Sequence, residues 1–184
     1  MPDLITLEAK IKELEAQVDT LRASAPDDKL SMVVMSGDLD KLLAAFIIAS
    51  GGSAMFEQVS MFFTFWAIPA LRDPKKNPPA KNFISAMFGK MLPKGSTSLK
   101  LSKMHMGGMG TWMIKNLMKE KNVLSLEELI KKAADAGVKI YICEMSMELM
   151  GFKKEEMIDY PELKLAGVAK FLSDAGSSKS TLFI

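Results

Sequence analysis

The chain has 184 residues, 48% of them hydrophobic and 25% charged, which is globular composition with length for one domain plus an appendage. A core of that size needs no disulfides, and a single cysteine cannot form one internally, so a reducing, cytoplasmic setting is expected. The formal net charge is only +2, which argues against a nucleic-acid binder, and no apolar stretch reaches the roughly 18 residues of a spanning helix.

Residues 4–21 repeat every seven. Leu4, Ile11 and Val18 take one seam position, and Leu7, Leu14 and Leu21 take the other. β-Branched residues at two of three a positions, with leucine at every d, favour a parallel two-stranded coiled coil. Three heptads are marginal alone. The arm, residues 1–28 with its linker, therefore needs a partner arm or a surface. It lacks the apolar core of a signal peptide. Pro26 within SAPDD (24–28) stops the helix.

The α/β domain is expected over 29–184. KLSMVVMSG (29–37) reads as a buried strand. DLDKLLAAFIIASGG follows with helical spacing, acids at its start and Gly51 and Gly52 at its end. QVSMFFTFWAI (58–68) is apolar throughout, as in a strand covered on both faces. RDPKKNPPAKN (72–82) reads as a proline-rich loop and FISAMFGKML (83–92) as a short apolar helix. Residues 72–103 hold eight bases against one acid, a surface that would suit an acidic partner or a small anion.

Residues 100–122 begin extended, pass a glycine-rich turn and become helical from about Thr111. LSLEELIKKAADAG (124–137) carries a capping box, Ser125 with Glu128, and ends at Gly137. VKIYICEM is the next strand. A short helix follows with Ser146 as its cap, then a last helix over 161–175 and a last strand, STLFI (180–184). This alternation predicts a three-layer α/β/α fold with a mostly parallel sheet of about five strands.

Reactive groups in open α/β sheets gather beyond the C-terminal strand ends. Cys143 lies there, before a helix whose N-terminal amides would favour a thiolate, with Glu144 opposing. It is either a small buried filler or a thiol that does chemistry. Ser36 and Gly37 end the first strand, and His105, Gly107 and Gly108 sit in the glycine turn. Met104, His105, Met106 and Cys143 would suit a soft metal. MGGMGT (106–111) precedes a helix as an anion cradle does, but lacks the Lys-Ser/Thr pair of a phosphate loop.

GVKIYICEMSMELMGF (137–152) resembles the cysteine segment of the DsrE/DsrF-like family of sulfur-relay proteins. KLSMVVMSGDLDKLLAAFIIAS, VSMFFTFWA, LSKMHMGGMGTWMIKNLMKEKN and the terminal TLFI are similar to a methionine-rich branch of it. The resemblance spans roughly residues 29–184 and leaves out the arm. It implies self-association and a cysteine, here Cys143, that carries sulfane sulfur as a persulfide.

On that basis the expected function is a sulfur carrier or sulfurtransferase, working with a thiol-bearing donor or acceptor protein or a small sulfur anion. No cofactor and no resident metal are expected. His105 would act as acid or donor. Ser36, Gly37, Gly107, Gly108, Glu144 and Ser146 would line the substrate pocket. The alternatives are a non-catalytic oligomeric scaffold and a soft-metal or small-anion binding module.

Overall fold

The computed structural model describes residues 4–76 and 83–184. Five parallel strands form one sheet: β1 (Asp27–Val34), β2 (Gln58–Phe63), β3 (Lys139–Cys143), β4 (Leu163–Ala166) and β5 (Ser178–Phe183), in the order β4-β3-β2-β1-β5. The helices are α1 (Leu4–Ser24), α2 (Leu39–Gly52), α3 (Phe83–Met91), α4 (Met109–Glu120), α5 (Leu126–Asp135), α6 (Glu144–Met150) and α7 (Val168–Ser177). None of the described helices is long and apolar enough to cross a membrane.

Register divides the sheet into two unlike faces. Leu30 pairs with Val59, Met32 with Met61 and Val34 with Phe63, and Ile140 and Ile142 continue those rows on β3. Side chains alternate along a strand, so these eight share one face. All are buried in the main apolar core, which α2 and α5 cover. The second face carries Ser31, Ser60, Phe62, Tyr141 and Cys143, and α7 crosses it on the way from β4 at one edge to β5 at the other. The expected three-layer architecture is present, with one layer thin.

The boundaries correct the sequence reading in several places. The strand expected over 58–68 stops at Phe63, and Phe65–Leu71 is a 3-10 helix. Hydropathy did not mark the change because Ala67–Leu71 are buried as well. The helix expected over 161–175 divides into β4 and α7, separated by Gly167. Residues 100–105 form no strand, and the helix after the glycine turn begins at Met109. The capping box at α5 is present: Ser125 Oγ accepts from the Glu128 amide at 3.3 Å, and the Ser125 amide donates to Glu128 Oε2 at 2.7 Å. The proline-rich loop lies outside the described residues from 77 to 82, and Lys81 of the basic segment with it.

The arm is a continuous helix, but every described side chain along it is exposed. Its heptad seam is not packed on its own domain.

Candidate functional site

Cys143 is the last residue of β3 and the N-cap of α6, with φ −63° and ψ 112°. Ser146, expected to cap this helix, lies instead inside its first turn: β3 runs straight into α6, so the strand's last residue fills the cap position. The Ser146 side chain is fully buried, and its hydroxyl lies 2.9 Å from Thr64 Oγ1, just past the end of β2. That bond ties α6 to the neighbouring strand end and holds the β3–α6 junction in place. Gly151 closes α6 in the left-handed region at φ 66°, where a glycine is the unstrained choice. Glu144 is exposed, as are Met145 and Leu149 on the outer side of the helix.

Alternation along β3 sends Cys143 to the second face, opposite Ile140 and Ile142. It pairs in register with Ala166 of β4. The sulfur is not openly presented, because Cys143 is only 4% exposed.

Ser36 and Gly37 follow the end of β1 and line a separate cleft of roughly 620 Å³. Its other walls include Asp38, Trp66, Lys90, Lys94 and Lys100. Gly37 is required there by contact: a Cβ at this position would collide with the Trp66 carbonyl oxygen. Ser36 Oγ donates to Asp38 Oδ2 at 2.9 Å, and Lys94 Nζ donates to the Lys76 carbonyl at 2.9 Å. Asp40, in the first turn of α2, accepts from both the amide and the hydroxyl of Ser102, at 2.8 and 2.6 Å. Desolvation pushes the Asp40 carboxyl up, but the Ser102 bonds outweigh it and its pKa lies below the usual carboxylate value. Lysines from the basic segment thus meet the first strand end. Cys143 does not line this cleft.

The glycine turn has a local organisation. His105 Nδ1 lies 3.0 Å from Thr111 Oγ1, and the amides of Gly108 and Gly110 donate to the His105 carbonyl. Met104 and Met106 both adopt positive φ, with Gly107 and Gly108. One ring nitrogen of His105 is therefore engaged by the helix that follows its turn. The histidine bond to Thr111, six residues on, has no pattern in the sequence that announces it.

A buried pair that the sequence did not suggest stands behind the site. Arg72 and Glu156, 2% and 1% exposed, meet at 3.2 Å. Arg72 Nη1 also donates to the carbonyls of Gly89 and Pro93, at 3.1 and 3.2 Å, and its guanidinium lies 4.7 Å from the centroid of the Phe152 ring. This cluster fastens the end of α3 to the segment that follows α6.

Residues 26–183 match the DsrE/DsrF/DrsH-like family. The chain is 46% identical to the Uncharacterized protein YrkE of Bacillus subtilis (strain 168), over 85% of this chain and 96% of that one. It is 36% identical to the Sulfur carrier protein DsrE2 of Allochromatium vinosum, over 85% of this chain and 98% of that one. Among solved structures, the ychN protein from E. coli is similar with a TM-score of 0.48 at 9% identity, covering 85% of this chain and 98% of that one. The family match runs from the start of β1 to the end of β5 and takes in Cys143 with the helix it caps: the chain belongs to the DsrE/DsrF/DrsH-like family.

Proposed function

We propose that the protein is a sulfur-relay protein that carries sulfane sulfur as a persulfide on Cys143. One observation carries the reading: the only cysteine of the chain ends β3 and caps α6, at the strand end where α/β sheets gather their reactive groups. Family membership and a relative named a sulfur carrier support it. In loading, the Cys143 thiolate attacks the outer sulfur of a donor persulfide; the new S–S bond forms as the old one breaks, and the donor leaves as a thiolate. In unloading, an acceptor thiolate attacks the outer sulfur and Cys143 leaves. Sulfur moves with no net oxidation. With no second cysteine in the chain to resolve the persulfide, its partners are thiol-bearing donor and acceptor proteins or a small sulfur anion.

The cleft of Ser36 and Gly37 suits a small sulfur oxyanion, since Lys90, Lys94 and Lys100 outnumber its one acid, Asp38. Gly107 and Gly108 shape the turn that holds His105. We place the protein in the cytoplasm, acting as a homo-oligomer.

Intact mass spectrometry after polysulfide or thiosulfate treatment tests the relay, with Cys143→Ser as control. Added sulfur on the native chain alone, removed by reductant, is expected. No adduct at any dose, with a thiol that also resists alkylation in the folded state, overturns it. That outcome favours the second reading, a non-catalytic oligomeric scaffold, to which the burial of Cys143 lends support.

A further inference from the structure

We propose that α1 is a dimerisation arm that pairs with α1 of a second copy of this chain, parallel and in register. The inference is independent of what Cys143 carries.

The seam is complete and unused. Its six residues are between 42% exposed, at Val18, and 70% exposed, at Leu4, so the domain that bears the arm does not cover them. Most of a helix's stability in a protein comes from packing its apolar face, and in this 21-residue helix six large apolar side chains stay exposed. Burial against an identical helix removes that apolar area from solvent, and Ile11 and Val18 at a with leucine at d pack best in a two-stranded parallel pair.

Charge then selects the orientation. Flanking the seam, Glu8 and Glu15 take e positions, while Lys10 and Gln17 take g positions. In a parallel, in-register pair each g residue faces the e residue five positions on in the partner helix, which sets Lys10 against Glu15 twice by symmetry. In the antiparallel pair that keeps the same seam, e meets e. Glu8 then opposes Glu15 twice, and Lys10 meets only Gln17. Within residues 4–21, the parallel pair gains two attractions where the antiparallel one takes two repulsions.

The geometry has a consequence for the domains. Only Ala25 and Pro26 separate α1 from β1. Parallel arms therefore bring both domains to one end of the coiled coil, joined close to the N-terminal ends of their first strands. The strands are parallel, so Cys143 lies at the opposite end of the sheet, about 25 Å along at the usual rise of about 3.3 Å per residue. The end of the sheet that holds each Cys143 is thus left clear of the arm.

Cross-linking decides it. In a Cys143→Ser background, Leu14→Cys is equilibrated in a glutathione redox buffer, where oxidised glutathione takes up the two electrons as the interchain disulfide forms. A parallel, in-register pair sets residue 14 beside its own copy, so a covalent dimer is expected from Leu14→Cys alone. Mixing it with Ile11→Cys should add no cross-linked heterodimer.

Cross-linking only in that mixture means an antiparallel pair and overturns the proposal. So does a native chain that light scattering finds monomeric at every concentration, or one that is oligomeric while Leu14→Cys stays unlinked. Lys10→Glu should weaken dimerisation roughly ten-fold at low salt and less at high salt, and adding Glu15→Lys should restore it. A dimer indifferent to both changes overturns the charge argument.

Discussion

The two faces of the sheet follow different rules. On the first, eight side chains from three central strands are apolar and buried beneath α2 and α5. On the second, β1 and β2 place Ser31 and Ser60 side by side at 3.1 Å, and Ser31 also meets Ser178 at 2.8 Å. Lys29, 8% exposed, reaches Asp174 of α7 at 2.9 Å, and Asp174 also takes Lys170 at 2.6 Å. Lys170 Nζ lies 4.9 Å from the centroid of the Tyr141 ring, and Phe62 meets Phe171 at 5.8 Å. Purely parallel sheets usually bury apolar residues on both faces. Here the first face is apolar throughout, and the other, where Cys143 lies, is covered by one helix through paired polar groups together with the Phe62–Phe171 contact.

Substitutions on each face sharpen that contrast. The largest effect is expected on the first face. Phe63→Ala removes a fully buried ring that packs 5.9 Å from Phe46, and should cost about 3–5 kcal/mol in urea unfolding. Asp174→Ala leaves Lys29 buried without its main partner. Breaking a fully buried pair costs about 3–5 kcal/mol. The loss here should be nearer 2 kcal/mol, because Lys170 is partly in water and Lys29 keeps Asp27 at 3.9 Å. Ser60→Ala deletes one of two hydroxyl partners of Ser31 and should cost about 1 kcal/mol. Equal losses from Phe63→Ala and Asp174→Ala would remove the distinction between the faces.

Legibility followed the range of each interaction. The α5 capping box lies within four residues, and sequence spacing was enough to find it. The first-face rows were legible as apolar runs. β4 was not: three of its four residues are only half-buried and Lys164 is exposed, and Leu163 and Leu165 fit a helical stripe as well as a strand. Missing β4 also hid what lies beside Cys143, since Ala166 is its register partner. The position of Cys143 at a strand end was readable, whereas its neighbour across the sheet was not. Ser146 had the chemistry of a cap, and only the direct passage of β3 into α6 removes it from that role. Arg72 and Glu156, 84 residues apart, left no local trace.

The smallest expected effect is a dependence on acid that belongs to the second face. Desolvation pushes Asp174 up, but its bonds to Lys170 and Lys29 and their charges outweigh this, so its pKa lies below the ordinary carboxylate value. A depressed pKa contributes stability that is fully present above the unfolded value of about 3.9, and that is lost as pH falls through the folded one. Asp28 and Glu128 are lowered too, Asp28 chiefly by its bond to Lys179 and Glu128 by its bonds to Ser125. Acid therefore weakens the native chain at several points. Asp174→Asn keeps the shape and removes one of them. In urea unfolding at pH 7 and pH 3, the variant should be less stable than the native chain at pH 7, and the gap should narrow at pH 3. A gap of constant size would mean that Asp174 acts through packing alone and that the ion pair does not hold α7 to the sheet.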